Sequence, residues 1–564
     1  MEKMNHLMKR AVLIVLVLSL IAALLGGCGS KDPGTPGTSG EPATNQPSTG
    51  PGTSAGPGTS AGPGTSSGPE TSSKPGNVSA KDNMKLGLNA EPPTLDIHKM
   101  TDSIANIHEY QVYEPLILSE NDVFVPCLAT EWKINNDITE IVFTLRENVT
   151  FHNGDTLTAE DVVFSINRAA KSKNIANYVS SIDYAEKIDD THVRMKLKFS
   201  YAPILSVMSM INLGIVSKAV VEQVEASGKE YGQDVVIGTG PYEFIKWTSG
   251  DRITYKAYDN YWGGKAPIDN VTVIYIQDAA AGALALESED IDFYYALSVD
   301  NRATLESAPN IAVYYYNVTD VLDLTFNVNN EYFKDPRVRK AVALALNRED
   351  ILLGGNNGFG TVCTQYCIAA ATGYVEDMTW HEQNIDEAKK LLTEAGYPNG
   401  FDVVMSQQNS ATYMPPAEVV QAQLAAIGIR VSFDKLDRVQ WTDIVGNNMN
   451  YAFSLRAGGF RSVLDYDAIL SLRLYGPNIG NASNYSGYNN PVVNKLIETA
   501  RTELDTNKRI EYYRQICEII KEDVPLIPLY YRGEYQAMNG KIQGVTIDSR
   551  GPQCCRWIDW YFVA

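Results

Sequence analysis

The run from Leu128 to Ala170 constrains this chain more than any other stretch. Ile141, Phe143 and Leu145 alternate with Val142, Thr144 and Arg146, a period that gives one strand two unlike faces. Asn153-Gly154-Asp155 is a turn signal, because glycine takes backbone angles closed to other residues. Thr158 precedes Asp161 at the spacing of a capping box. Val162, Val163, Ile166, Ala169 and Ala170 then supply an apolar helical stripe. The run predicts strand, turn and capped helix, one α/β unit.

What surrounds this unit is large. At 564 residues the chain exceeds one ordinary domain, and about two or three are expected. A hydrophobic content of 44% is ample for their cores. The net charge of −20 argues against nucleic acid, which is bound through basic patches. It favours solubility outside the cell and, weakly, cationic or neutral ligands. Tyrosine is abundant, 32 residues against 15 phenylalanines, and its flat apolar face with a polar tip suits binding surfaces as well as cores.

The N-terminus reads as a leader. Lys3, Lys9 and Arg10 precede an apolar run from Ala11 to Leu25, too short for a permanent span, so residues 1–27 are expected to be a signal peptide. Leu25-Gly26-Gly27-Cys28 resembles a bacterial lipobox. That resemblance implies cleavage before Cys28 and lipid on its sulfur, anchoring the chain to the outer face of the cytoplasmic membrane. Ser30 to Asn77 repeats Gly, Pro, Ser and Thr with almost nothing apolar to bury, so 28–80 is read as a tether. Its coil reach is on the order of 40 Å.

The literal string of the central run carries a longer match. Trp132, Leu145-Arg146, Phe151 to Gly154 and Thr158 to Val162 resemble the signature of the extracytoplasmic solute-binding proteins of ABC importers, in the peptide/nickel-binding family 5. Gly238-Thr239-Gly240-Pro241-Tyr242, Asn260 to Trp262 and Lys334 to Arg348 continue it toward the C-terminus. The resemblance implies an α/β fold of the periplasmic-binding-protein-like type II: two lobes joined by a hinge, with an additional subdomain. By it, lobe I comprises 81–119, 236–320 and 529–564, subdomain II 120–235 and lobe III 321–528. Phe401 to Val404, Val419 to Ile427 and Ile429 to Phe433 read strand, helix, strand, a parallel crossover within lobe III.

The same resemblance points to ligand residues. Thr101, Asp102 and Ser103 occupy the loop that touches ligand in the family. Trp441 stands where a family tryptophan packs on ligand side chains. Arg456-Ala457-Gly458-Gly459-Phe460 resembles an Arg-Ala-Gly-Trp segment, where Gly458 and Gly459 would let a peptide backbone approach. Arg456 or Arg461 could grip a carboxylate in two parallel bonds. Asp465-Tyr466-Asp467 matches a following Asp-Pro-Asp motif. One departure stands out: the family's amine-binding Asp would fall near Ser462 or Val463, so Asp102 or Asp465 is the candidate replacement.

Peptide capture for a membrane permease and its ATPase is the function implied, by a monomer without cofactor. Oligosaccharide or nickel binding within the family, or sensing without transport, are the alternatives. The six histidines (His6, His98, His108, His152, His192 and His381) show no close helical ligand spacing, so no metal is expected. Catalysis by the Asp465 and Asp467 carboxylates lacks any visible third group. Seven cysteines include Cys28, while Cys363 and Cys367 could close a short disulfide loop or stay free. On this reading Trp441→Ala weakens ligand binding, measured by titration, while thermal unfolding still reports a folded chain.

Overall fold

The computed structural model describes residues 81–99, 102–120, 123–459, 463–480, 484–547 and 550–563. The leader, Cys28, the tether, Thr101, Phe460 and Arg461 lie outside the described residues.

The central run folds as its sequence predicts. Glu140–Leu145 is a strand with Ile141, Phe143 and Leu145 buried and their neighbours half-buried. Gly154 sits at φ +89°, in open space, at the turn. The Ala159–Ala170 helix opens on a full capping box between Thr158 and Asp161. Strands Ala129–Ile134, Glu140–Leu145, His192–Leu197 and Ile182–Lys187 form an antiparallel sheet in that order. Val162, Ile166 and Ala169 of the helix pack into one core with Ile141 and Phe143.

The signature residues meet at a junction rather than in a pocket. The Arg146 guanidinium lies 3.9 Å from the Trp262 ring. Trp262 Nε1 donates to Glu114 at 2.9 Å, and the Tyr261 hydroxyl donates to the same carboxylate at 2.6 Å. Gly238 must be glycine, since a Cβ there would stand 2.0 Å from the Val112 carbonyl oxygen. These strings therefore lock strands and turns onto the Ser103–Val112 helix.

A second, large sheet runs through the two lobes. At one end Phe401–Gln408 and Ile429–Leu436 pair in parallel, from Phe401 opposite Ile429, joined by the Met414–Ala425 helix. At the other end Asn83–Leu88 pairs in parallel with Asn270–Tyr275. Two long antiparallel strands, Ile311–Phe326 and Leu526–Asn539, connect the halves. Their register shifts between Asn317 and Val321 and again between Leu322 and Asp323, so the pairing in one half is out of step with that in the other. The limits expected at 320/321 and 528/529 lie inside these continuous strands. Leu526–Asn539 is long because it pairs along Ile311–Phe326 nearly throughout. One core lies on each side: Leu86, Val273, Trp557 and Trp560 in the first, Leu324, Val342, Leu424 and Phe453 in the second.

Cys127, Cys363, Cys367 and Cys517 are free, buried thiols. Cys363 and Cys367 therefore form no disulfide loop. Both sit in the apolar core of the second half, and burial pushes both thiols up.

Asp465 caps the Tyr466–Arg473 helix and pairs with Arg509 at 2.7 Å, both side chains at most 5% exposed. Removing one member leaves the other charge buried without its partner. Arg509→Leu is expected to lower unfolding free energy by about 3–5 kcal/mol. Urea titration of the variant against the parent chain measures it, and a change within error would show that the pair carries no stability.

Candidate functional site: the interlobe cleft

A cleft of about 620 Å³ opens beside the two connecting strands. Tyr295, Leu297 and Asp300 line it from one lobe; Leu322, Ala457 and Tyr530 line it from the other. Asp320, Arg532 and Glu534, on the connecting strands themselves, supply its charges beside Asp300.

The wall of this cleft includes an unusual sheet edge. Phe453–Gly459 pairs with Ile311–Phe326 along its whole length. Its other neighbour, Phe401–Gln408, meets it only at Phe453 and then diverges. Beyond that point the Gln407 side-chain amide takes over. Leu455 N–H donates to Gln407 Oε1 at 2.8 Å, and Gln407 Nε2 donates to the Leu455 carbonyl at 3.2 Å. A side-chain amide here imitates the peptide unit of an absent strand. Because successive residues of an antiparallel strand point their backbone groups to opposite sides, Ala457 and Gly459 present theirs on the same outward edge. The Tyr413 hydroxyl stands beside the Ala457 backbone.

Gly458 points to the other face. A Cβ there would stand 1.9 Å from Arg473 Nη2. Arg473 is buried, with Nη1 lacking a hydrogen-bond partner, and it supports Asp323, whose Oδ2 also lacks one. Burial pushes the Asp323 carboxyl up to about 6, with Arg473 and Thr325 pulling in the opposite direction. Arg456 stacks 3.9 Å over the Tyr485 ring.

The residues singled out from the sequence divide. Asp102 accepts from Ile104 and Ala105 N–H as the N-cap of the Ser103–Val112 helix, and Ser103 is exposed at its first turn. Gly458 and Gly459 end the open-edged strand. Trp441 is 7% exposed and donates through Nε1 to Ser454 at 3.0 Å, packed with Val445 and Tyr451. Truncating it therefore also opens a cavity, and a binding loss there carries a stability loss with it.

Asp465, Tyr466 and Asp467 were expected to face ligand. They line no part of the cleft just described. Asp465 is held by Arg509, and Tyr466 shares a hydrogen bond with Cys517 Sγ at 3.0 Å. Asp467 accepts from Arg501 at 3.0 Å and from the Tyr201 hydroxyl at 3.3 Å, where Ala202 N–H also donates to the Arg501 carbonyl. These side chains close lobe III and its contact with the four-stranded subdomain. Their carboxylates are spent on buried partners, which rules out Asp465 as an open amine acceptor in this conformation. Asp102 is likewise engaged by its own helix.

Sequence reasoning passed over Asp320, Arg532 and Gln407. Gln407 had left a trace: Phe401, Val403 and Met405 alternate inward, and Gln407 breaks that series at a fully buried position. Among the described residues no group of three His, Cys, Asp or Glu side chains is placed to hold a metal ion. Burial depresses His98 to about 4, His108 to about 3 and His152 to about 4, so these rings are neutral.

A two-lobed α/β protein with a cleft beside paired connecting strands is a ligand-binding protein of the hinged-trap class. Residues 123–481 match the family model described as bacterial extracellular solute-binding proteins, family 5 middle. The chain belongs to that family, the extracytoplasmic substrate-binding proteins of ABC importers. It is 26% identical to the dipeptide-binding protein of Escherichia coli over 461 residues, 76% of this chain and 84% of the relative. It is 29% identical to the oligopeptide-binding protein AppA of Bacillus subtilis over 428 residues, 71% and 77% of the two chains. Among solved structures, HbpA2 from Haemophilus parasuis superposes with a TM-score of 0.77 at 26% identity, covering 86% of this chain and all of that one. The relatives are solute-binding proteins, not enzymes.

Asp323 links the site to pH. Its carboxyl is raised in the folded chain, so folding takes up a proton there. Its contribution to stability is full below the unfolded value of about 4 and is lost as pH rises through about 6. Asp323→Asn is expected to lose less stability than the parent chain between pH 4 and 7. Urea midpoints at both pH values measure this, and parallel pH profiles would contradict it.

Proposed function

We propose that this chain captures peptides outside the cell and hands them to an ABC permease. The single observation that carries this is the outward edge of the Phe453–Gly459 strand, which reaches the cleft at Ala457, beside a glutamine that imitates a strand. An extended peptide satisfies such an edge by strand addition, with backbone bonds giving affinity and pockets taking side chains. The Tyr413 hydroxyl is a side-chain group that an incoming backbone can replace. Two of the relatives carry dipeptide- and oligopeptide-binding names, and a Helicobacter pylori relative, DppA, 25% identical with a TM-score of 0.74, is solved with the peptide STSA.

The rest of the assignment extends this reading. Lipid on Cys28 anchors the monomer, and the 28–80 segment tethers it above the membrane. Lobe I takes 81–119, 236–320 and 529–564, subdomain II 120–235 and lobe III 321–528, so the connecting strands are the hinge. Asp102, Ser103, Trp441, Arg456, Gly458 and Gly459, with Thr101, Phe460 and Arg461, remain its proposed ligand-facing residues.

Native mass spectrometry of the purified chain tests the ligand class. A ladder of bound masses resolving into amino-acid residues is expected; bound hexose units, haem or a metal would replace the peptide reading. Ala457→Pro tests the edge, because it removes one outward N–H and spares the bonds to Ile311–Phe326. One backbone bond is worth about 0.5–1.5 kcal/mol, so peptide affinity is expected to fall roughly 2- to 12-fold with the unfolding midpoint kept. Unchanged affinity would put the peptide elsewhere.

A further inference from the structure

We infer that subdomain II carries a reversible clasp for lobe III, in which Tyr201 and Ala202 hold the closed form and set how slowly a captured ligand leaves. The clasp itself rests on the two-lobed fold, and its effect on ligand release rests on the peptide reading above.

Subdomain II is tied to lobe I. The Arg168 guanidinium grips Asp96 in two bonds of 2.7 Å each, and the Asp96 side chain is fully buried. His152 N–H donates to the Gly238 carbonyl at 3.0 Å. Lobe III meets this body at the segment between His192–Leu197 and the Ile204–Met208 helix. There the Tyr201 hydroxyl donates to Asp467 Oδ2 at 3.3 Å, and Ala202 N–H donates to the Arg501 carbonyl at 2.6 Å. Val463 of lobe III is buried in one core with Ile204 and Val207 of subdomain II. Phe199 stands edge-on to the Tyr201 ring, with 6.2 Å between centroids. None of these residues lies on the connecting strands or lines the 620 Å³ cleft.

The two sides of this contact differ in chemistry, and the difference makes it easy to break and remake. Lobe III's side is complete in itself. Asp467 accepts from Arg501 Nε at 3.0 Å and from the Ser471 hydroxyl at 3.1 Å, and the Arg501 guanidinium lies 4.5 Å from the Tyr475 ring centroid. All of these partners belong to lobe III and stay together when the lobes part. Subdomain II adds two neutral donors, a phenol hydroxyl and a backbone N–H, which water satisfies on opening. Opening therefore leaves no buried charge unpaired, the condition that makes breaking a buried ion pair costly. Bonds made only in the closed form slow release and leave encounter with the open form unchanged.

The full chain is compared with Tyr201→Phe, which removes the hydroxyl and keeps the ring, and with Val463→Ala, which thins the apolar contact from the other side. Melting curves check that both variants fold. Hydrogen exchange without ligand reads the clasp at Ala202. Its N–H is expected to be protected in the parent and to exchange roughly 2- to 12-fold faster in Tyr201→Phe, with the Glu140–Leu145 strand unchanged. In stopped flow with tetra-alanine, dissociation from either variant is expected to be roughly 2- to 12-fold faster at an unchanged association rate. An Ala202 amide that exchanges in the parent as fast as a free loop amide overturns the clasp. Acceleration spread equally over Ala202 and the Glu140–Leu145 strand also overturns it, since that marks general loosening of the subdomain. Protection at Ala202 with dissociation unchanged in both variants overturns its role in release. Failure of tetra-alanine to bind the parent overturns the peptide reading and the role in release with it, while exchange at Ala202 still decides the clasp.

Discussion

The pairing of Ile311–Phe326 with Leu526–Asn539 is the contact on which the rest of the structure depends. It carries one hydrogen-bonded sheet across two hydrophobic cores. It supplies Asp320, Leu322, Tyr530, Arg532 and Glu534 to the cleft wall. Long strands resist stretching along their axis but twist readily, and a slipped register concentrates that freedom in a few residues. The cleft wall and the connection between the halves are thus built from the same stretch of backbone.

Around that connection, polar groups sort into those that build and those that wait. Asp465, Asp467, Asp102 and Glu114 are bound to arginines, tyrosines or helix N-termini. A buried carboxylate without such partners is costly, so each is tied down. Beside the cleft the accounting is looser. Arg456 Nε, Arg473 Nη1, Arg532 Nε and Asp323 Oδ2 are buried without hydrogen-bond partners. Within one sheet, the outer edge of Phe453–Gly459 is completed by side chains instead of a strand. Groups of this kind cluster where the chain meets something other than itself.

Local structure was legible because its causes are local. Thr158 and Asp161 cap a helix wherever they stand, and Ile141, Phe143 and Leu145 alternate on their own. The crossover between Phe401–Gln408 and Ile429–Leu436 follows from the same short-range pattern. The site was legible only in part. Gly458 and Gly459 stood out as a place for close approach, and they end the open-edged strand. Asp465 and Asp467 misled, because a sequence does not reveal that Arg509 and Arg501, more than thirty residues away, reach back to them.

By itself the sequence determined the α/β class, the capped helix, the parallel crossover and the family, since each rests on residues close together in the chain. The tertiary structure alone decided which carboxylates face the cleft, where the edge opens and where the lobes join. Those features come from pairing across long separations, as when Asp320 meets Gly459 and Val321 meets Tyr531. Register between distant strands is settled by the packing of whole faces, and no short window of sequence contains it.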